Sequence, residues 1–151
     1  MTYQPQPQKA PFHWLHPWIV FGIFFAFASW LTWRDWQRKK LSTWFDVTLF
    51  LTVGTIGILL FLLWTVTDHR AAANNFNLLW ALPTHAVAGL LLLKKQKPKV
   101  LKNYFLFTTI LTALLLGGWY LLPQALNVFL IPVVGVILIR ALANHQLVKV
   151  N

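Results

Sequence analysis

Apolar residues in this chain fall into long unbroken blocks, separated by short polar or basic connections, and not at the alternating or one-face spacing of a soluble protein. The first block runs from Pro17 to Trp33, the second from Val47 to Val66, the fourth from Tyr104 to Leu122 and the fifth from Leu126 to Leu142. The third, beginning near Phe76 and continuing as LLWALPTHAVAGLLLL, is short and contains Pro83 and His85. A helix needs about 20 apolar residues to cross a bilayer, with a range of about 17 to 25. The pattern therefore predicts an all-α membrane protein, a bundle of about five transmembrane helices. The third is expected to start at the interface near Phe76 and to bend or break at Pro83.

Local signals refine these blocks. Trp14 and Trp18 at one end of the first, and Trp30, Trp33 and Trp36 at the other, match the two aromatic belts found at lipid headgroups. Thr43 followed three residues later by Asp46 reads as a capping-box-like start for the second helix. Gly54 and Gly57 leave a shallow strip in that helix where another can approach, which is a packing seam. Pro123-Gln124-Ala125 forms a turn into the fifth block, and Pro132 within it predicts a kink. Residues 1–12 alternate Gln and Pro, offer no packing face and read as a mobile extracytoplasmic tail, leaving residues 13–151 as one polytopic membrane domain.

Composition agrees: 58% of residues are hydrophobic and 11% charged, against about 25% charged in a soluble domain. The formal charge of +10 would suggest nucleic acid for a soluble protein, but the basic residues lie between apolar blocks and not along a polar face, so no nucleic-acid partner is expected. They fix topology instead. With the N-terminus outside, the cytoplasmic connections hold Arg34, Arg38, Lys39, Lys40, then Lys94, Lys95, Lys97, Lys99, Lys102, then Arg140 and Lys149; Lys9 and Arg70 fall outside. The first block is preceded by Lys9 alone and followed by Arg34, Arg38, Lys39 and Lys40, the reverse of a signal peptide, and so is read as an uncleaved span. These readings place the chain in a bacterial inner membrane as a multi-pass protein, N-out and C-in.

The chain contains no cysteine, which removes disulfides, thiolate metal sites and a cysteine nucleophile. The three acids are Asp35, Asp46 and Asp68, and the five histidines are His13, His16, His69, His85 and His145. Asp35 can pair with flanking Arg34 and Arg38, Asp46 is explained by capping, and Arg140 can snorkel from the end of the last helix. No span shows a charge halfway across. The histidines have no HExxH-like spacing, so neither a metal nor another cofactor is expected. The predicted topology gathers the remaining polar side chains, Asp68, His69, Asn75, Asn77 and His85, with Trp80 among them, near the outer face. Polar groups at membrane depth are functional candidates by default. Structural explanations also stand: Asp68 as the cap of a short turn, Asn74 and Asn75 as its end, His85 as a satisfied interface histidine.

Those same residues carry a resemblance. The run WFD (Trp44, Phe45, Asp46), a glycine-bearing span and then WTVTDHRAAANNFNLLWALPTH (Trp64 to His85) resemble the C-terminal membrane domain of the Lnb-type bacterial lipoprotein N-acyltransferase family. The matching positions are Thr67, Asp68, His69, Asn75, Asn77, Leu78, Leu79, Trp80 and Pro83. In that family a papain-like periplasmic domain precedes the helical membrane domain. The resemblance implies here a stand-alone or split membrane module, not catalytic by itself, that seats membrane lipid or a periplasmic catalytic partner through Asp68, His69, Asn75, Asn77, Trp80 and His85. Two alternatives stay open: a small membrane enzyme using Asp68, His69 or His85 on a lipid, or a structural subunit of a membrane complex. The lack of an activated nucleophile weighs against the enzyme.

Overall fold

The computed structural model describes residues 16–66 and 75–150, and among these every regular element is helical. Five α-helices follow one another: α1 Pro17–Arg38, α2 Thr43–Val66, α3 Thr84–Leu92, α4 Lys99–Gly117 and α5 Ile131–Leu147. Short 3-10 turns at Phe76–Leu79 and Val128–Leu130 precede α3 and α5. Three elements, Thr43–Val66, Lys99–Gly117 and Val128–Leu147, are each long and apolar enough to cross a bilayer unaided, and Phe76–Leu92 is a shorter apolar stretch. The third segment is interrupted where the sequence predicts, its 3-10 turn and α3 being separated by residues 80–83.

The helices form two layers. α5 lies between α1 and α4, and α2 pairs with α3. Aromatic side chains join the layers, with Phe50 of α2 5.0 Å from Phe105 of α4 between ring centroids. The α2–α3 pairing rests on the predicted seam. A methyl group built on Gly54 would overlap the backbone nitrogen of Ala86, and one on Gly57 the carbonyl of Ala81 and the nitrogen of Pro83. Gly89 returns the favour from α3, where the same atom would lie 3.0 Å from the Leu51 side chain. No side chain fits at these points of closest approach.

Up-and-down order puts the end of α1, the start of α2, the end of α3, the start of α4 and the end of α5 at one end of the bundle, and this end carries the lysine and arginine clusters. His145 Nδ1 beside the carbonyl of Lys102, 3.1 Å away, ties α5 to α4 there. At the opposite end His16 and Trp18 pack edge-on against Phe129, 5.5 and 5.4 Å between centroids. Of the predicted belt residues, Trp18, Trp30 and Trp33 are well exposed, whereas Trp36 is half-buried.

Several local expectations change. Pro132 does not kink a helix; it stands in the first turn of α5, where its missing N–H would have had no partner. Residues 126–130 are turn instead, with the Asn127 side chain accepting the N–H of Phe129 at 3.0 Å. The helix of the first block runs five residues past Trp33 and ends at Arg38, with Lys39 in the left-handed conformation at φ 51°. The N-terminal tail, residues 1–12, lies outside the described residues.

The larger correction concerns charge. Arg140 does not snorkel: it is 0% exposed, as is Asp46, and Asp35 is 1% exposed. Arg140 Nε donates to Asp46 Oδ1 at 2.7 Å and Nη2 to Asp46 Oδ2 at 2.9 Å, a two-pronged pairing that leaves Asp46 no capping role. Nη2 also reaches Asp35 Oδ2 at 2.9 Å, and Nη1 donates to the Thr32 hydroxyl at 3.0 Å. Asp35 is completed by Ser42, whose N–H and hydroxyl donate to it at 2.8 and 2.6 Å. Its flanking Arg34 stands farther off, at 3.6 Å. One guanidinium thus fastens α5 to both α1 and α2 near the lysine-rich end.

Candidate functional site

The break at residues 80–83 frees backbone groups inside an apolar bundle, where each unmet group costs several kcal/mol, of order 2 to 7. The residues singled out from the sequence meet that need. Asn75 Oδ1 accepts both the N–H of Asn77, at 3.0 Å, and its side-chain amide, at 2.9 Å. Asn77 Oδ1 accepts the indole N–H of Trp80 at 3.0 Å. The carbonyl of Trp80 lies 3.2 Å from His85 Nε2, and the Tyr104 hydroxyl lies 2.7 Å from His85 Nδ1 and 2.9 Å from the Thr84 hydroxyl.

The directions of these bonds follow from one fixed acceptor. A carbonyl only accepts, so the proton sits on His85 Nε2. In neutral imidazole Nδ1 is then the acceptor, Tyr104 donates to it, and Thr84 donates to Tyr104. The result is one continuous chain, Asn75, Asn77, Trp80, His85, Tyr104, Thr84, threaded through the helix break. Four of the six candidates therefore act together. The other two, Asp68 and His69, lie outside the described residues.

His85 is enclosed by the helices: it is 0% exposed, packs against Phe50 at 5.4 Å between ring centroids, and stands about 12 Å along α3 from Leu93. Both its ring nitrogens are engaged, so it is a poor base for an incoming substrate. Tyr104 and Thr84 were not visible as candidates: a tyrosine two residues after the basic stretch Lys94 to Lys102 reads simply as the start of the fourth span. Removing the Tyr104 hydroxyl strands His85 Nδ1 in the core. Tyr104→Phe is accordingly expected to lower stability by about 1–3 kcal/mol, read as a lower Tm in detergent; an unchanged Tm would show the chain to be energetically idle.

At the end remote from the lysines, the same stretch forms one wall of a recess of about 500 Å³. Asn75, Phe76, Leu78 and Leu79 face Trp64 of α2 and Pro123 of the α4–α5 connection across it. The Phe76 N–H donates to Gln124 Oε1 at 2.7 Å, which fixes the turn to that connection. The recess is apolar with an amide at its rim, the make-up of a site for a molecule that is mostly hydrocarbon with one polar end.

Comparison with known proteins agrees with the layout. The model of a family of five-helix membrane domains, described as the Lnb transmembrane domain, matches residues 8–151. No curated protein and no solved structure matches the chain.

Proposed function

The chain belongs to the Lnb transmembrane-domain family, and on that footing we propose that it is the membrane module of a lipoprotein N-acylation system, seating lipid at the face remote from its lysines. It does no chemistry alone: it has no cysteine, and the one described histidine among the candidates is already bonded at both nitrogens. A catalytic partner outside the membrane supplies the nucleophile. The retention of Lys and Arg on the cytoplasmic side orients the recess outward, toward the periplasmic face of a bacterial inner membrane.

The observation that carries this reading is the recess itself. Trp64, Asn75, Leu78 and Leu79, all within the Trp64 to His85 stretch that carries the resemblance, line it, and the hydrogen-bond chain through His85 braces that wall. Asp68 and His69 lie in sequence between α2 and Asn75 and are outside the described residues.

The test is mass spectrometry of lipids and proteins that co-purify with the full chain, for wild type, Leu78→Trp and Asp68→Ala. Leu78 is half-buried and lines the recess, so tryptophan there fills it. Bound diacyl lipid or lipopeptide is expected to fall about tenfold in Leu78→Trp at unchanged Tm. Equal lipid in both, with both folded, contradicts the assignment.

A further inference from the structure

α1 and α2 are consecutive in sequence and joined by only four residues, 39–42, yet their backbones do not pack side by side. α1 leans on α5 and α2 on α3. The two are held together at the lysine-rich end, where Asp35 binds Ser42 and Arg140 binds both Asp35 and Asp46. From that clamp they diverge. The gap between them is a groove of about 610 Å³, with Phe24 and Phe27 on the α1 side, Thr48 and Thr52 on the α2 side, and Trp80 and Leu130 among its remaining walls.

Three properties decide what fills it. Apart from the hydroxyls of Thr48 and Thr52 its walls are hydrocarbon and aromatic ring, and the Thr48 hydroxyl already donates to the Trp44 carbonyl at 3.0 Å, so water has too few partners to stay. Its extent along α2, from Trp44 to Ile56, is about 18 Å at 1.5 Å per residue, close to the roughly 15 Å of one hydrocarbon leaflet. Spread over that length, the volume makes a long, slender cleft, the shape of a single hydrocarbon chain.

We infer that the α1–α2 groove is a binding site for one acyl chain of an anionic phospholipid from the leaflet on the lysine-rich side. The groove begins at Trp44, four residues beyond Lys40, so a chain lying in it brings its phosphate to Arg38, Lys39 and Lys40. The rings of Phe24 and Phe45, 6.1 Å apart, and of Phe27 and Phe45, 5.8 Å apart, brace the lower walls and keep the cleft from closing. This site is separate from the recess at the opposite end and goes beyond the function proposed above; a bound lipid here wedges the two layers at their clamped angle.

The experiment uses the full chain in bilayer nanodiscs of phosphatidylethanolamine and phosphatidylglycerol, the latter carrying a diazirine on one acyl chain. After illumination, label is expected on peptides covering 20–27 and 44–56, well above that on the lipid-facing side of α4 at Phe107, Ile110 and Leu114. Thr52→Trp, at an exposed position inside the groove, is expected to cut that label about tenfold, while Leu114→Trp on α4 leaves it unchanged. Label spread evenly over all lipid-facing helices overturns the proposal, whatever the variants do. So does undiminished label in folded Thr52→Trp, or a covalent dimer joined through groove residues. A diazirine lipopeptide that labels the groove in preference to the phospholipid also overturns it. None of these variants touches the recess, so lipid loss in Leu78→Trp and label loss in Thr52→Trp report on the two sites separately.

Discussion

Arg140→Met is expected to leave little folded protein. Its guanidinium grips Asp46 with two hydrogen bonds across the layers, and it supplies the bond that holds Asp35 to α5. Taking it away leaves two carboxylates, 0% and 1% exposed, facing each other inside an apolar bundle. Breaking a buried pair from one side costs about 3–5 kcal/mol, a large fraction of a total stability of about 5–15 kcal/mol. Three helices come loose together, because α1, α2 and α5 meet at this one side chain. The measurement is yield and Tm in mild detergent. A companion variant separates packing from charge: with Asp35→Leu and Asp46→Leu added to Arg140→Met, the stranded carboxylates are gone and most of the lost stability returns. An Arg140→Met protein as stable as wild type would show that the triad does not clamp the bundle.

Gly57→Leu carries the other large effect. The added side chain meets the Ala81 carbonyl and the Pro83 nitrogen, which are backbone atoms of the break and not movable ends of side chains. For α3 to retreat, the Trp80 carbonyl must leave His85, and the chain back to Asn75 comes apart with it. Overpacking in a tight core costs about 1–3 kcal/mol and sometimes more, and here the lost hydrogen bonds add about 1–3 kcal/mol each. Two glycines act as internal controls. Gly22 and Gly117 have nothing within 4 Å of an added methyl, so alanine at either is expected to raise helix stability by up to about 1 kcal/mol. A scan of Tm across the three positions checks the pattern; equal effects at Gly57 and Gly22 would mean the seam does not bear the contact.

These two predictions differ in how far the sequence announced them. The glycine seam was legible, because Gly54 and Gly57 lie within one helical turn and small residues in an apolar span have few uses besides close packing. So was the interrupted third segment, because Pro83 stands in a block too short to cross. The arginine clamp was not. Asp46 and Arg140 are 94 positions apart, and each carried a sufficient local explanation, capping for one and snorkelling for the other. A charge that looks satisfied by its neighbours gives no hint that its partner is elsewhere. The signal available was that Asp46 and Arg140 each lay within or beside an apolar block, where an unpaired charge is costly.

The candidate site was half legible for a related reason. Asn75, Asn77, Trp80 and His85 were chosen as a polar cluster, and they do form one bonded chain. Burial was not legible: a helix that restarts at Thr84 carries His85 among its neighbours, at 0% exposure. Tyr104, the partner of His85 Nδ1 in that chain, comes from α4, 19 residues on, and nothing local marks it.

The proposed function requires the recess and the lysines to face opposite sides of the membrane, with the recess outward. Because the chain has no cysteine, single introduced cysteines report without background. Leu121 is 85% exposed in the connection beside the recess, and Lys97 lies in the basic connection between α3 and α4. In intact spheroplasts a membrane-impermeant maleimide is expected to label Leu121→Cys and to label Lys97→Cys only after the membrane is opened. Labelling of Lys97→Cys in sealed spheroplasts, with Leu121→Cys protected, would turn the bundle over and remove the lipid seat from the face where its partner would work.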